Sequence, residues 1–202
     1  MPPRKQRTPA LAQQVRAKAL ALLEDHGPAG LRARAVAEAA GTSTAAVYEL
    51  FGDKSGLIRS IYGEGFQRLK ADLEALPSSD DPADDLRALF QGTRRFARRQ
   101  PQLFEVMFSR PFAEFEPDAS DREHAGSLFS LVVDRVTVWL SSVGSDADPV
   151  DVARVLISTS RGLIADEQAG ILGSTIINRN RRWELTFDAL LAGIAGQAEP
   201  LI

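Results

Sequence analysis

The 202-residue chain has no cysteine and only two histidines, two tryptophans and two methionines. Without cysteine there is no disulfide and no thiolate metal site, and His26 and His124 are too isolated to build an imidazole zinc site. No metal or cofactor is expected. The chain also lacks an apolar run of about 18 residues, and it lacks a charged start leading into an apolar stretch, the marks of a membrane span and a secretory leader. The cytoplasm is the expected setting, with no membrane partner. Catalytic patterns are missing as well: there is no Gly-x-Ser-x-Gly elbow, no phosphate-cradling glycine loop and no close carboxylate pair in apolar surroundings. Catalysis is therefore not expected.

What is present begins with apolar content of 44%, enough for one core or for two small domains sharing one. The net charge of −3 conceals an asymmetry along the chain. Residues 1–60 carry nine Lys or Arg against five acids, a net +4, while the remainder carries 15 against 22, a net −7. Such a division directs attraction for a polyanion to one end, or it is a fluctuation among solvated charges.

The stretch 32–57, RARAVAEAAGTSTAAVYELFGDKSGL, organises the rest. Its small and apolar spacing fits two short helices across a tight turn. Ala37 lies where the helices come close, and Gly41 supplies the positive φ that ends the first of them. Thr42 or Ser43 caps the second, which turns Val47 and Leu50 inward to meet Val36. Thr44, Ala45, Tyr48 and Glu49 then face out, small residues first and a phenol later. A helix that enters the major groove needs that order, because its first turn lies deepest while a later Tyr reaches a phosphate. An ordinary helical hairpin has the same Ala-Gly-Val spacing.

The longer run Gly41-Thr-Ser-Thr-Ala-Ala-Val-Tyr48-Glu-Leu-Phe51-Gly-Asp-Lys54-Ser-Gly-Leu57 resembles the signature of TetR-family transcriptional regulators, and the likeness extends over residues 12–69. The resemblance implies an all-α fold of about nine helices: an N-terminal three-helix helix-turn-helix DNA-binding domain and a C-terminal helical ligand-binding and dimerisation domain. Three prolines with Arg4, Lys5 and Arg7 make residues 1–9 a flexible basic arm or an ordinary frayed terminus, and the resemblance implies a DNA-binding domain over 10–56 and the ligand and dimer domain over 57–202. The implied partners are a double-stranded DNA operator, a small-molecule effector and a second copy of the chain, a homodimer. By the same resemblance Tyr48 and Lys54 hold phosphates, Arg34, Thr44 and Ala45 meet bases, and Thr42 and Ser43 complete the DNA-facing set. Leu50 departs from the His that many members carry. A helical ligand-binding or adaptor protein that does not read DNA is the alternative.

Taken in order, Thr8-Pro9 opens a first helix to about Asp25, with Leu11, Val15, Ala19, Leu22 and Leu23 as its apolar stripe. A fourth helix from Lys54 to about Leu76 carries Gly63 and Gly65, which mark either close approach of another helix or a compliant point. A fifth, over about 83–100, bears Arg94, Arg95, Arg98 and Arg99, expected as a solvated face or as a second DNA surface. Five of the ten phenylalanines lie between Phe96 and Phe115. Aromatic and Met side chains on short, proline-bounded elements suit an apolar cavity, so the expected pocket is Phe96, Phe104, Met107, Phe108, Phe112, Phe129 and Val133. An irregular stretch after Gly173 leads into a last helix from about Arg179. Its apolar stripe, with Leu163 of the helix before, forms the expected dimer face: Leu163, Trp183, Phe187, Leu190, Leu191 and Ile194. The run from Phe96 to Phe108 also resembles a TetR subgroup named for a Trp-His-Gly motif. Ile157 and Arg161 stand where its Trp and His would fall, and only Gly162 is kept.

Overall fold

Thr8 begins the ordered description by accepting the Leu11 N–H on its hydroxyl, with Pro9 supplying the first helical φ. The computed structural model describes residues 8–109, 111–113 and 115–196. Nine α-helices occur among them and no strand: α1 (Pro9–His26), α2 (Ala33–Ala39), α3 (Thr44–Phe51), α4 (Lys54–Glu74), α5 (Pro82–Arg99), α6 (Pro101–Phe108), α7 (Ala119–Val143), α8 (Pro149–Gln168) and α9 (Ile176–Ala195). A 3₁₀ turn, Gly27–Gly30, separates α1 from α2. The fold is all-α, as the sequence implied. Residues 1–7 of the expected basic arm lie outside the described residues.

Contacts divide the chain into two compact units, and the division is not contiguous in sequence. One comprises Met1–Leu69 with Phe96–Gly126, the other Lys70–Arg95 with Ser127–Ile202. In the first, Leu11, Val15, Ala19 and Leu23 of α1, Val36 and Val47 of α2 and α3, Ile58 and Ile61 of α4, and Leu103 and Val106 of α6 are buried. The α1 stripe is thus core, as its period of three and four residues requires, although Leu22 is only half-buried. The α4 glycines belong to this unit. A Cβ on Gly63 would stand 3.0 Å from the His124 ring, and one on Gly65 would stand 2.7 Å from Met107 Sδ. Close approach of other helices accounts for both glycines and offsets their low helix propensity.

In the second unit, Leu86 and Phe90 of α5, Val132, Val136 and Trp139 of α7, Ala153, Leu156 and Ile164 of α8, and Trp183 and Phe187 of α9 are buried. Phe90 and Phe187 stack at 4.8 Å between centroids, and Phe187 stacks on Trp183 at 5.6 Å. Arg94 is a correction to the solvated face expected of α5. It is 4% exposed and pairs in bidentate fashion with Glu167, Nε to Oε2 at 2.6 Å and Nη2 to Oε1 at 2.9 Å. Its remaining nitrogen donates to Asn180 Oδ1 at 2.9 Å, and its guanidinium lies 4.9 Å from the Trp183 ring centre. Arg95, Arg98 and Arg99 are exposed. Helical periodicity alone placed Arg94 with them; only the acidic and aromatic partners brought by α8 and α9 make its burial tolerable.

One further expectation is corrected. α9 begins at Ile176 rather than near Arg179, because Thr175 caps it through a bond from the Asn178 N–H, and the Ile-Ile pair read as irregular is helical. Among the described residues α7 alone is long and apolar enough, by length and composition, to cross a membrane, although Asp134 and Arg135 interrupt its apolar run. Its Val132, Val136, Trp139 and Leu140 are buried in the second unit, and Arg135 pairs with Asp85 at 3.2 Å.

Arg94→Ala should lower stability by about 3 kcal/mol, since the sheltered Glu167 carboxylate loses its bidentate partner and keeps the more distant Arg179, at 3.5 Å. Urea denaturation of the variant against wild type measures this, and Arg95→Ala on the exposed face should change the midpoint little.

Candidate nucleic-acid interface

The α2–α3 turn is closed by the backbone. Gly41 adopts φ +59°, its N–H donates to Glu38 O at 3.0 Å, and the Thr42 N–H donates to Ala37 O at 2.9 Å. These bonds satisfy carbonyls that the end of α2 would otherwise leave open, and the left-handed step at Gly41 redirects the chain. Ser43, with extended φ −98° and ψ 153°, then caps α3 by accepting the Ala46 N–H at 3.1 Å. Of the two cap candidates, Thr42 and Ser43, the structure selects Ser43. Val36, Ala37, Ala40 and Val47 are buried as the clamp between the helices. From α1, Gln14 Nε2 donates to Ala40 O at 3.1 Å and ties the end of α2 to the first helix.

The expected DNA-facing residues divide by exposure. Arg34 on α2, Ser43, Ala45 and Tyr48 are exposed, Tyr48 at 43%, and so is Lys54 at the start of α4. Thr42 and Thr44 are half-buried, as is Leu50, which the sequence assigned inward. Bringing α4 close behind α3 needs Gly56, because a Cβ there would collide with the Phe51 carbonyl. Asp53 caps α4 by accepting the Gly56 N–H at 2.8 Å. Neither role was read from the sequence, although an Asp three residues before Gly at a helix start is a legible cap signal.

A second set of residues, not foreseen, sits along the first turns of α4. Asp118 and Asp121 cap α7 reciprocally: the Asp121 N–H donates to Asp118 Oδ1 at 3.1 Å and the Asp118 N–H donates to Asp121 Oδ2 at 3.0 Å. Arg59 of α4 meets both carboxylates through Nε, at 2.9 Å to Asp121 and 3.0 Å to Asp118. Its Nη2 donates to the Glu116 carbonyl at 3.4 Å. Asp121 is 1% exposed, so this ion pair is sheltered on the carboxylate side. The bond to Asp121 raises the Arg59 pKa above its ordinary value. The Asp118 carboxyl is held below its ordinary 3.8, first by the Asp121 N–H it accepts, with partial desolvation opposing and the Arg59 charge assisting.

The expected pocket residues fall in different units. Phe96, Phe104, Met107 and Phe112 are buried and Phe108 is half-buried in the first; Phe129 and Val133 are half-buried in the second, where Arg154 lies 5.0 Å from the Phe129 ring centre. Two cavities in the first unit are lined by other residues. One of about 440 Å³ lies between α1 and α4 along Pro9, Ala12, Gln13, Arg16, Glu64 and Arg68; another of about 170 Å³ includes Arg59, Gly63, Gln67, Asp121 and His124. Of the expected dimer face, Trp183, Phe187 and Leu191 are buried within the chain itself, while Leu163, Leu190 and Ile194 are half-buried. Among the described residues no group of three or more His, Asp or Glu is placed to hold a metal ion.

The family model for bacterial regulatory proteins of the tetR family matches residues 15–61, and that for the tetracyclin repressor-like C-terminal domain matches residues 86–190, more than half of the chain. The chain belongs to the TetR family. The first match spans α1 to the start of α4, so the TetR helix-turn-helix is the α2–α3 pair described above. No curated protein matches the chain. Among solved structures, a protein with unknown function from Rhodococcus sp. RHA1 is 24% identical with a TM-score of 0.81, over 96% of this chain and 100% of that one. The TetR-family transcriptional regulator PfmR from Thermus thermophilus is 18% identical with a TM-score of 0.65, over 88% and 97%. A TetR variant from Acinetobacter baumannii AYE in complex with minocycline is 18% identical with a TM-score of 0.64, over 92% and 97%. These likenesses show the same fold over 88–96% of the chain.

A depressed native pKa at Asp118 contributes stability that is fully present above the unfolded value of 3.8 and is lost as pH falls through the native value. The stability advantage of wild type over Asp118→Asn should therefore hold above about pH 4 and vanish in stronger acid. Thermal melts of both proteins across an acid series check it.

Proposed function

We propose that this TetR-family chain is a repressor that binds a pseudo-palindromic operator as a homodimer in the cytoplasm and is released by a small apolar or amphipathic ligand. The observation that carries the DNA-binding part is α3 itself: capped by Ser43 and clamped through Val47, it presents Thr44 and Ala45 on its first turn and an exposed Tyr48 on its second. Small residues on the leading turn let a helix approach base edges, and the later phenol and the Lys54 ammonium suit phosphates. The basic balance of residues 1–60 concentrates attraction for the duplex at this end. Arg34, Thr42 and Ser43 complete the DNA-facing set.

For the effector, the aromatic and Met side chains of Phe96, Phe104, Met107, Phe108 and Phe112 in the first unit offer apolar surface, Phe129 and Val133 of the second unit being apolar as well, and the Acinetobacter baumannii relative was solved with minocycline bound. A ligand that binds one spacing of the dimer better than another lowers operator affinity by that difference. For the dimer, half-buried Leu163, Leu190 and Ile194 and the exposed Val155 and Leu185 on α8 and α9 leave apolar area for a second copy, while Trp183, Phe187 and Leu191 back it from within.

Mobility shift on duplexes selected by the protein from a random pool tests the proposal. Tyr48→Ala and Lys54→Ala should weaken binding to all sequences alike, and each should reduce the slope of log K against log salt by about one. Thr44→Ala, or enlarging Ala45, should instead change which sequences are selected. Little binding at any salt would favour the helical adaptor.

A further inference from the structure

Lys54 and Arg59 stand five residues apart on α4, and both are engaged by the segment that leads into α7. At one end of that segment the Lys54 ammonium lies 5.8 Å from the centre of the Phe112 ring. In the middle, buried Phe115 packs against Tyr62 at 5.3 Å between centroids and lies 5.8 Å from the Arg59 guanidinium. At the other end Arg59 reaches the Glu116 carbonyl and both carboxylates of the α7 capping pair. Three attachments thus run along α4 from Lys54 to Tyr62.

We infer that Arg59 is a positioning residue for DNA binding: by joining the Asp118–Asp121 cap of α7 to α4, it fixes the start of α4 and with it Lys54 relative to α3. The inference rests on the assignment of Lys54 as a phosphate contact made under the proposed function. The physical case is one of pre-organisation. A lysine side chain carries four rotatable bonds, and a helix start frays unless it is held, so a phosphate contact from Lys54 gains strength when its helix turn and its ammonium are ordered before the duplex arrives. Arg59 supplies that order because a planar guanidinium can meet two carboxylates and a carbonyl at once. Asp121, buried with Arg59 against it, would strand its charge if it lost this partner, and the Asp118 carboxylate at the same Nε completes the grip, so the link is fixed while Arg59 meets both. Anything that takes either carboxylate from Arg59 therefore loosens Lys54.

Charge alone and positioning predict opposite results for one variant. Arg59→Gln removes a cation and weakens DNA binding on either account. Asp118→Asn removes an anion, so charge alone predicts tighter binding, whereas positioning predicts weaker binding and a salt slope lower by about one. Asparagine remains able to cap α7, so this variant keeps the experiment sound if Arg59→Gln unfolds; thermal melts establish that each protein is folded. Both variants are then combined with Lys54→Ala and titrated on a duplex selected from a random pool by the wild-type protein. Positioning through Lys54 predicts that neither Arg59→Gln nor Asp118→Asn adds a further loss once Lys54 is gone. Independent effects would multiply to within about twofold and would overturn the inference, as would unchanged or tighter binding by Asp118→Asn. Failure to select any duplex would instead overturn the DNA-binding proposal, and this inference with it.

Discussion

The geometry of the α2–α3 pair turns on the left-handed backbone step at Gly41. It lets the Gly41 and Thr42 N–H groups close onto Glu38 and Ala37, so that the end of α2 runs almost directly into the Ser43 cap of α3. A β-carbon at that position would strain the step whatever space surrounded it. Once the angle between the two helices is set, Val36 and Val47 have one way to bury each other, and Ala45 and Tyr48 have one way to face out. The chemistry of the exposed face is thus a consequence of a turn that touches nothing outside the protein.

Around that turn the first unit uses its polar groups to hold helix ends. Thr8, Ser43, Asp53 and the Asp118–Asp121 pair each satisfy donors that a helix start leaves open, and Gln14 does the same for a carbonyl at the end of α2. Short helices such as α2 and α3 gain little from propensity alone, so these bonds and the apolar clamp decide whether they form at all. The second unit relies on a buried guanidinium, with Glu167, Asn180 and Trp183 satisfying Arg94 on every side. Such a group specifies one arrangement of α5, α8 and α9, because any other would leave a charge uncompensated away from water.

Most of the helices were legible because their signals are local. Thr8 as a cap, Pro9 at a first turn and the apolar stripe of α1 each depend on neighbours within about one or two turns of helix. Ile176 and Ile177 misled because β-branched residues are poor helix formers, and the Thr175 cap outweighed them. In the site, Ala45, Tyr48 and Glu49 could be placed outward from periodicity, though Thr44, placed with them, is half-buried, and Arg59 could not be singled out. Its partners lie about sixty residues away, and nothing in its own surroundings distinguishes it from other surface arginines.

Residue order was enough to establish that this chain is helical, where its principal helix–turn–helix lies and which side of α3 is small and polar, since these follow from backbone preferences and a period of 3.6 residues. Contacts across the fold were needed to show that Arg94 is core, that Gly63 and Gly65 mark helix contacts, that Trp183 and Phe187 are buried within their own chain, and that Arg59 meets the cap of α7. The physical reason is range: periodicity says which residues share a face, but only packing between distant segments says what that face meets.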